Sequence, residues 1–492
     1  MVACRLPHFP KQGYKHGGVK VILPREQSGH SYHRLKESFK ATPMFEDKTW
    51  KLSPHAWPIT QSELDEINLL GQACLDFHKA LEILYLRSSD GKKLLRNKDL
   101  IASWVADYLD RGKPHHLIRH GCCKFSRGQL PSVIRPDLLL TDSGFALTEI
   151  DSVPGGIGLT AFLNQLYSEV NDNVIGRGDL ILGRFYQALA AKAPDKHAPL
   201  ITIVVSDEAA TYRPEMVWIC EEMQKQGKRV YCCHPDDVYP LGDVLHVSID
   251  GNPEKVDVIY RFFELFDLPN LKTTPYFFEA LKQEVVELTP PMRAFQEEKL
   301  SLGLFHHGML KDFWRENLPK RSLSALAKTI PKSWVMDHTP LPPTAVLDGP
   351  LVGGQPIREW SDLSEASKKE RNLIIKISGF HETAWGARSV IFGSDSSKEE
   401  WREGIEQAVQ MSGSHLHVLQ EYRKPKRFTH PVFADPENTF EMQGRLRLCP
   451  YFFVQGDKAE LVGILATFCP ADKKIIHGMR DAAMLPCQLV AD

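Results

Sequence analysis

Arg135, Asp137, Glu149 and Asp151 are the residues whose types and spacing most clearly invite chemistry. They lie in two β-rich runs on either side of Asp142-Ser143-Gly144. A three-residue hairpin loop ending in a left-handed glycine joins runs of this kind. That loop sets Thr141 opposite Phe145, Leu139 opposite Leu147, Asp137 opposite Glu149 and Arg135 opposite Asp151. Side chains alternate along a strand, so the four charged residues share one face at the open end of the hairpin. The other face carries Pro136, Leu138, Leu140, Ala146, Thr148 and Ile150, as a core face would. Like charges opposite one another destabilise a ladder, and Arg135 offers one positive charge against three carboxylates. Two environments answer this: a divalent cation such as Mg²⁺, shared with substrate phosphates, or water over the outer face of an edge hairpin.

A second group lies in the last third of the chain. Lys376 interrupts the apolar run Asn372–Ile377, where a lysine is costly unless it meets an anion or extends to solvent. The glycine-bounded loop Gly379–Gly386 follows, in the form of a lid whose N–H groups can close over phosphates, or of an ordinary hairpin loop. The run 415–420 ends in Gln420-Glu421-Tyr422, which either offers hydrogen bonds to a base and a ribose or is a plain strand end. The basic run Arg423–Arg427 reads as a solvated surface.

The elements that must position these groups follow from periodicity. Residues 1 to about 50 are polar, rich in basic residues and histidine, and expected to be an irregular arm. Leu64, Ile67, Leu70, Cys74, Phe77, Leu81 and Leu84 recur at three- and four-residue spacing and predict an amphipathic helix to about Leu86. Thr60 or Ser62 can cap it, and Ser62 with Asp65 fits a capping box. Further helices are expected over 99–109 and 159–170. The apolar run Leu200–Val205, the helical stretch 214–226 and the strands 229–233 and 256–260 predict a small parallel β-α-β unit. Residues 275–330 are expected to be largely helical, and 339–344 an extended linker. Strands 372–377, 387–392 and 415–422, a helix over 396–411, and an antiparallel pair, 445–454 with 461–468, complete the expectation.

The chain has 492 residues, 42% of them hydrophobic and 25% charged, with a net charge of −2, and so has room for two to four domains. No global basic field argues for nucleic acid or an anionic membrane. No apolar leader or bilayer-length run is seen, so a cytoplasmic protein is expected. The ten cysteines form no C-x-x-C pair and suggest neither a zinc site nor a disulfide framework. A phosphate-binding G-x-x-x-x-G-K-[ST] loop, a G-x-G-x-x-G fingerprint, a G-x-S-x-G elbow and an H-E-x-x-H pair are all missing, which removes the nucleotide, hydrolase and zinc-protease classes that depend on them.

Arg135-x-Asp137 followed by Glu149-x-Asp151-Ser-x-Pro-Gly-Gly resembles the metal-binding strand pair of the ATP-grasp superfamily. Lys376, its glycine loop and Gln420-Glu421-Tyr422 are similar to that family's nucleotide half. The two halves occur in reversed order around a β-α-β unit, as in the circularly permuted, glutathionylspermidine-synthetase-like members. The resemblance implies an α/β (α+β) ATP-grasp fold with five parts. These are an N-terminal arm and helical region (1–112), a metal-binding half (113–195), a β-α-β domain (196–275), a helical connection (276–335) and a nucleotide-binding half (336–492).

It further implies ATP and Mg²⁺ as cofactors, with Asp137, Glu149 and Asp151 holding the metal and Arg135 neutralising the transferred phosphoryl group. Lys376 would contact the α- and β-phosphates, Gly379 and Gly386 would bound the lid, and Gln420, Glu421 and Tyr422 would line the adenine and ribose pocket. Gly155 and Gly156 would present N–H groups to a reacting carboxylate. The implied activity joins a small-molecule or peptide carboxylate to an amine through an acylphosphate. Phosphoryl transfer without ligation, and nucleotide binding without turnover, are the alternatives. Asp151 departs from the family, which usually has Asn there, and so do His381 and Trp385 in a lid where small residues are commoner.

Overall fold

Ser31 caps a short helix, α1 (Tyr32–Lys40), whose Leu35 is fully buried. With Met44 and Phe45 buried in the following turn, it pins part of the expected irregular arm against the body of the protein. The computed structural model describes residues 19–20, 29–46, 48–95, 100–339, 349–384, 386 and 388–491. The expected linker at 339–344 lies almost wholly outside them.

Strand β1 (Trp57–Thr60) runs directly into the long helix α2 (Gln61–Ser89). The capping box is formed by Thr60 and Glu63, rather than Ser62 and Asp65. The Thr60 hydroxyl accepts from the Glu63 N–H at 3.2 Å, and the Glu63 carboxylate accepts from the Thr60 N–H at 3.0 Å. Extended backbone at Thr60 (φ −75°, ψ 162°) is what starts the helix there. Ile67, Leu70, Cys74, Phe77, Leu81 and Leu84 are all buried, as their spacing requires. Helices α3 (Ser103–Asp110) and α4 (His115–Cys122) follow.

The acidic hairpin comprises β2 (Val133–Thr141) and β3 (Gly144–Asp151). Its open end has the expected register, Arg135 opposite Asp151 and Asp137 opposite Glu149. Its closed end differs. The loop has two residues, Asp142 and Ser143, with Thr141 opposite Gly144, and Leu139 faces Ala146 instead of Leu147. Gly144 takes a φ of +102°, and a bulge that leaves Thr148 unpaired restores the register. Helices α5 (Ile157–Tyr167) and α6 (Leu180–Ala190) follow, α5 starting at the left-handed Gly156.

The β-α-β unit is present as β4 (Ile201–Val205), α7 (Arg213–Lys225), β5 (Val230–Cys233) and β6 (Val258–Phe262). A three-stranded antiparallel meander, unforeseen in the sequence, fills the span between β5 and β6. After α8 (Thr274–Lys282), strand β7 (Glu287–Thr289) completes a parallel sheet ordered β7-β6-β4-β5. Helices α9 (Leu300–His306), α10 (Lys311–Asn317) and α11 (Lys320–Thr329) fill the helical connection.

A second, antiparallel sheet runs β8 (Ser333–Met336), then β11 (His417–Glu421), β9 (Leu373–Ile377) and β10 (Ile391–Phe392), with α12 (Lys398–Met411) packed on it. The expected strand over 387–392 is reduced to β10. At Ser389 the side chain, not the backbone, accepts the Ile377 N–H (3.3 Å), so the ladder stops.

The chain ends in β12 (Arg427–Phe433), β13 (Thr439–Gln455), β14 (Lys458–Pro470) and β15 (Ala483–Val490). These belong to a third sheet, with β1 paired to β15 and the acidic hairpin joined along β13. Strand pairing therefore crosses the expected divisions at 112/113 and 335/336. One stretch of β13 pairs with β12 and the next with β2, so Arg447 stands just past the change of partner. Helix α2 covers one face of this sheet, and α5 and α6 cover the other. Among the described residues, no helix is long and apolar enough to cross a membrane.

Candidate functional site

A cavity of about 540 Å³ opens where the three sheets meet. Arg135, Asp137, Glu149, Asp151, Gly155, Gly156, Lys376, Gly386, Gln420, Glu421 and Tyr422 all line it. Of the expected site residues, Gly379 stands outside it, as does His381 of the same loop. Both line a smaller cavity of about 80 Å³ that shares Glu149, Asp151, Val153, Lys299 and Ala384 with the larger one. The hairpin and Lys376, more than 200 residues apart in sequence, thus face each other.

The bulge explains how. Thr148, freed from the ladder, donates its hydroxyl proton to the Asp137 carbonyl (3.1 Å), and its own carbonyl accepts from Lys376 Nζ at 2.9 Å. Lys376 also donates to Gln420 Oε1 (3.1 Å), which β11 brings to the same face, and Gln420 Nε2 donates to Ser333. Burial pushes the Lys376 ammonium down to about 8, against the pull of nearby Glu149 and Asp137; Lys299 adds to the fall. Tyr422 packs edge-on against Phe392, and Glu421 pairs with Arg423 at 3.0 Å.

The acidic face is neutralised by protein cations, two of them, Arg447 and Lys299, missed in the sequence. Arg135 donates Nε to Asp137 (2.9 Å), Nη2 to Asp151 (2.9 Å) and Nη1 to the Gly155 carbonyl (3.0 Å). Arg447 reaches the second Asp137 oxygen at 3.0 Å, and the Cys449 thiol approaches the first at 3.5 Å. Burial alone would raise the Asp137 carboxyl, but the two guanidinium groups win and hold it below the usual carboxylate range. Lys299 pairs with Glu149 (2.9 Å) and donates to the Ala384 carbonyl of the lid (2.8 Å). Asp151 goes the other way: burial raises it, Arg135 opposes, and neighbouring Glu149 adds to the rise.

Mg²⁺ takes one or two carboxylates and leaves its other positions to water and substrate phosphates. Glu149 and Asp151 suit that role. They face the cavity from one strand, and their mutual repulsion is what a divalent cation relieves. Asp137, expected as a third ligand, is enclosed, with a guanidinium on each oxygen and 4% of its surface exposed. Among the described residues, no three acidic, histidine or cysteine side chains converge as a metal cage.

The glycines also depart from expectation. The Gly156 N–H donates to the buried carboxylate of Glu215 at 3.2 Å, as does the Gly158 N–H at 2.8 Å. The Gly155 carbonyl accepts from Arg135 and from the Tyr451 hydroxyl (2.8 Å). A Cβ on Gly155 would stand 2.2 Å from the Tyr212 ring, so the position needs glycine for closeness of approach. The Gly-Gly turn therefore braces α5 and Arg135. Arg447 did carry a signal, a charge alternating with Leu446, Leu448 and Phe452 on an apolar strand, of the same kind as Lys376. Lys299 and Glu215 sit among other charged or helical residues and carried none.

No family model matches the chain, and no curated protein matches it. Among solved structures, a glutathione synthetase-like effector from Globodera pallida, in its apo form, superposes with a TM-score of 0.53. The alignment covers 93% of this chain and 96% of that one at 12% identity. The two chains share a fold. It is the mixed α+β, ATP-grasp-like architecture that the sequence predicts. A Methylobacillus flagellatus protein described as a candidate gamma-glutamylcysteine synthetase aligns more loosely, with a TM-score of 0.43 at 13% identity over 88% of this chain and 89% of that one.

Proposed function

We propose that this protein is a circularly permuted ATP-grasp ligase that uses ATP and Mg²⁺ to join a carboxylate to an amine. The observation that carries the proposal is the meeting of Lys376 and Gln420 with the acidic hairpin in one cavity, where Lys376 Nζ lies 2.9 Å from the Thr148 carbonyl. Lys376 contacts the nucleotide phosphates. Gln420, Glu421 and Tyr422 line the base and ribose, and Gly379 and Gly386 bound a loop that Lys299 ties to the hairpin through Ala384 and Glu149. Arg135 and Arg447, held by Asp137, set fixed positive charge beside the transferred phosphoryl group, the positioning on which phosphoryl transfer depends. Glu149 and Asp151 would hold Mg²⁺, which would supply neutralisation of phosphate charge. The overall architecture, shared with a glutathione synthetase-like protein, supports the same reading.

The test is ADP release across pairs of amino acids, short peptides and polyamines. Release that needs both an acid and an amine is expected. Release with one acceptor alone would make the protein a phosphotransferase. One observation favours a binding protein without turnover: Arg447 occupies Asp137. Tight ATP binding with no release for any pair would decide for that role.

A further inference from the structure

Three glutamates gather beside the open end of the acidic hairpin, and their partners differ. Glu297 pairs with the fully buried Arg261, and Glu298 pairs with Lys113 at 2.6 Å and accepts from Ser378. Glu264 makes no side-chain hydrogen bond or ion pair among the described residues. It stands two residues past the carboxyl end of β6, the edge of a parallel sheet at which ligands bind. Its side chain lines both the main cavity and the small cavity beneath the 379–384 stretch of the lid.

A partly buried carboxylate with no cation is costly. The cations nearby, Arg261 and Lys299, are committed to Glu297 and Glu149, and the remaining groups that face Glu264, Glu297 and Asp151, are acidic. The small cavity is therefore complementary to a positively charged group that arrives with the ligand, and about 80 Å³ admits a primary ammonium and the carbons next to it.

We propose that Glu264 receives the amine substrate, binding its ammonium nitrogen beneath the 379–384 stretch and accepting the proton whose loss frees the lone pair for attack on the acyl carbon. The proposal rests on the ligase reading of this site. In the step, the ammonium gives one proton to a Glu264 oxygen, which frees the nitrogen lone pair; that pair forms the C–N bond, the bond between the acyl carbon and the phosphate oxygen breaks, phosphate leaves with its electron pair, and the second N–H proton passes to the departing phosphate.

The experiment compares the full-length protein with Glu264→Gln, using the substrate pair found by ADP release and, separately, hydroxylamine in place of the amine. Hydroxylamine is uncharged at neutral pH and traps an acylphosphate as a hydroxamate without a protein base. Amide formation in Glu264→Gln should fall about 10²-fold or more, with a raised KM for the amine and loss of the acidic limb of the pH profile. Hydroxamate formation should stay comparable to the unsubstituted protein, which also establishes that the variant is folded. Amide formation at the unsubstituted rate would overturn the role of Glu264 and leave the ligase reading intact. Loss of hydroxamate formation in the variant alone would overturn it in favour of a structural role. Absence of amide and hydroxamate from the unsubstituted protein would overturn the ligase reading itself.

Discussion

Lys376 is buried on an apolar strand, with its Nζ held between the Thr148 carbonyl and Gln420. Its folded value of about 8 lies below that of an ordinary lysine, so its charge is present at pH 7 and is lost as pH rises through 8. A hydrogen bond to a charged group contributes about 1.5–3 kcal/mol. Lys376→Met should therefore weaken ATP binding roughly ten- to a hundredfold at pH 7, as measured by titration calorimetry. At pH 9 the unsubstituted lysine is mostly neutral, and the gap should narrow. A gap of equal size at both pH values would show that Lys376 does not meet the phosphates as a cation. The same residue shows what a sequence discloses best. A charge on an apolar strand must be explained locally, so Lys376 stood out, and Arg447 could have been found in the same way. Asp137 was legible as part of an acidic face but not as a residue enclosed by Arg135 and Arg447, because that depends on a strand more than 300 residues away.

At the scale of elements, the hairpin and α2 were the most readable parts. The open end of the hairpin, where the residues that matter lie, was read from a three-residue loop, and its pairs hold because the bulge offsets the shorter turn. The closed end was not readable, because a two-residue turn with a bulge and a three-residue turn leave the same pairs at 135–151 and 137–149. Helix α2 was legible from its apolar stripe, but the reason for Gly71 in its middle was not. Glycine within a helix is usually about 0.5–1 kcal/mol worse than alanine. Here a Cβ would stand 2.1 Å from the buried Phe452 ring on β13, where helix and sheet touch. Gly71→Ala is therefore expected to destabilise the protein by about 1–3 kcal/mol, as overpacking does. Denaturant melts check this, and a stabilised variant would mean that the helix does not lie so close to the sheet.

At the scale of the whole molecule, the small parallel sheet followed from periodicity, and the α+β class from the resemblance that the hairpin and the Lys376 stretch carry. The grouping of strands did not. Residues 333–421 and 427–490 read as one continuous stretch of mixed structure, yet they enter different sheets, because β13 is long enough to take both β12 and the acidic hairpin along one edge. That arrangement gives the cavity its three walls and brings Arg447 to Asp137. Joining an acid to an amine through an acylphosphate has a signature that no other use of the cavity shares. With the acid's carboxyl oxygens labelled with ¹⁸O, and the substrate pair found by ADP release, mass spectrometry of the released phosphate reads the route directly. One labelled oxygen in the phosphate for each amide formed is the predicted result, whereas amide formation with unlabelled phosphate would contradict the account.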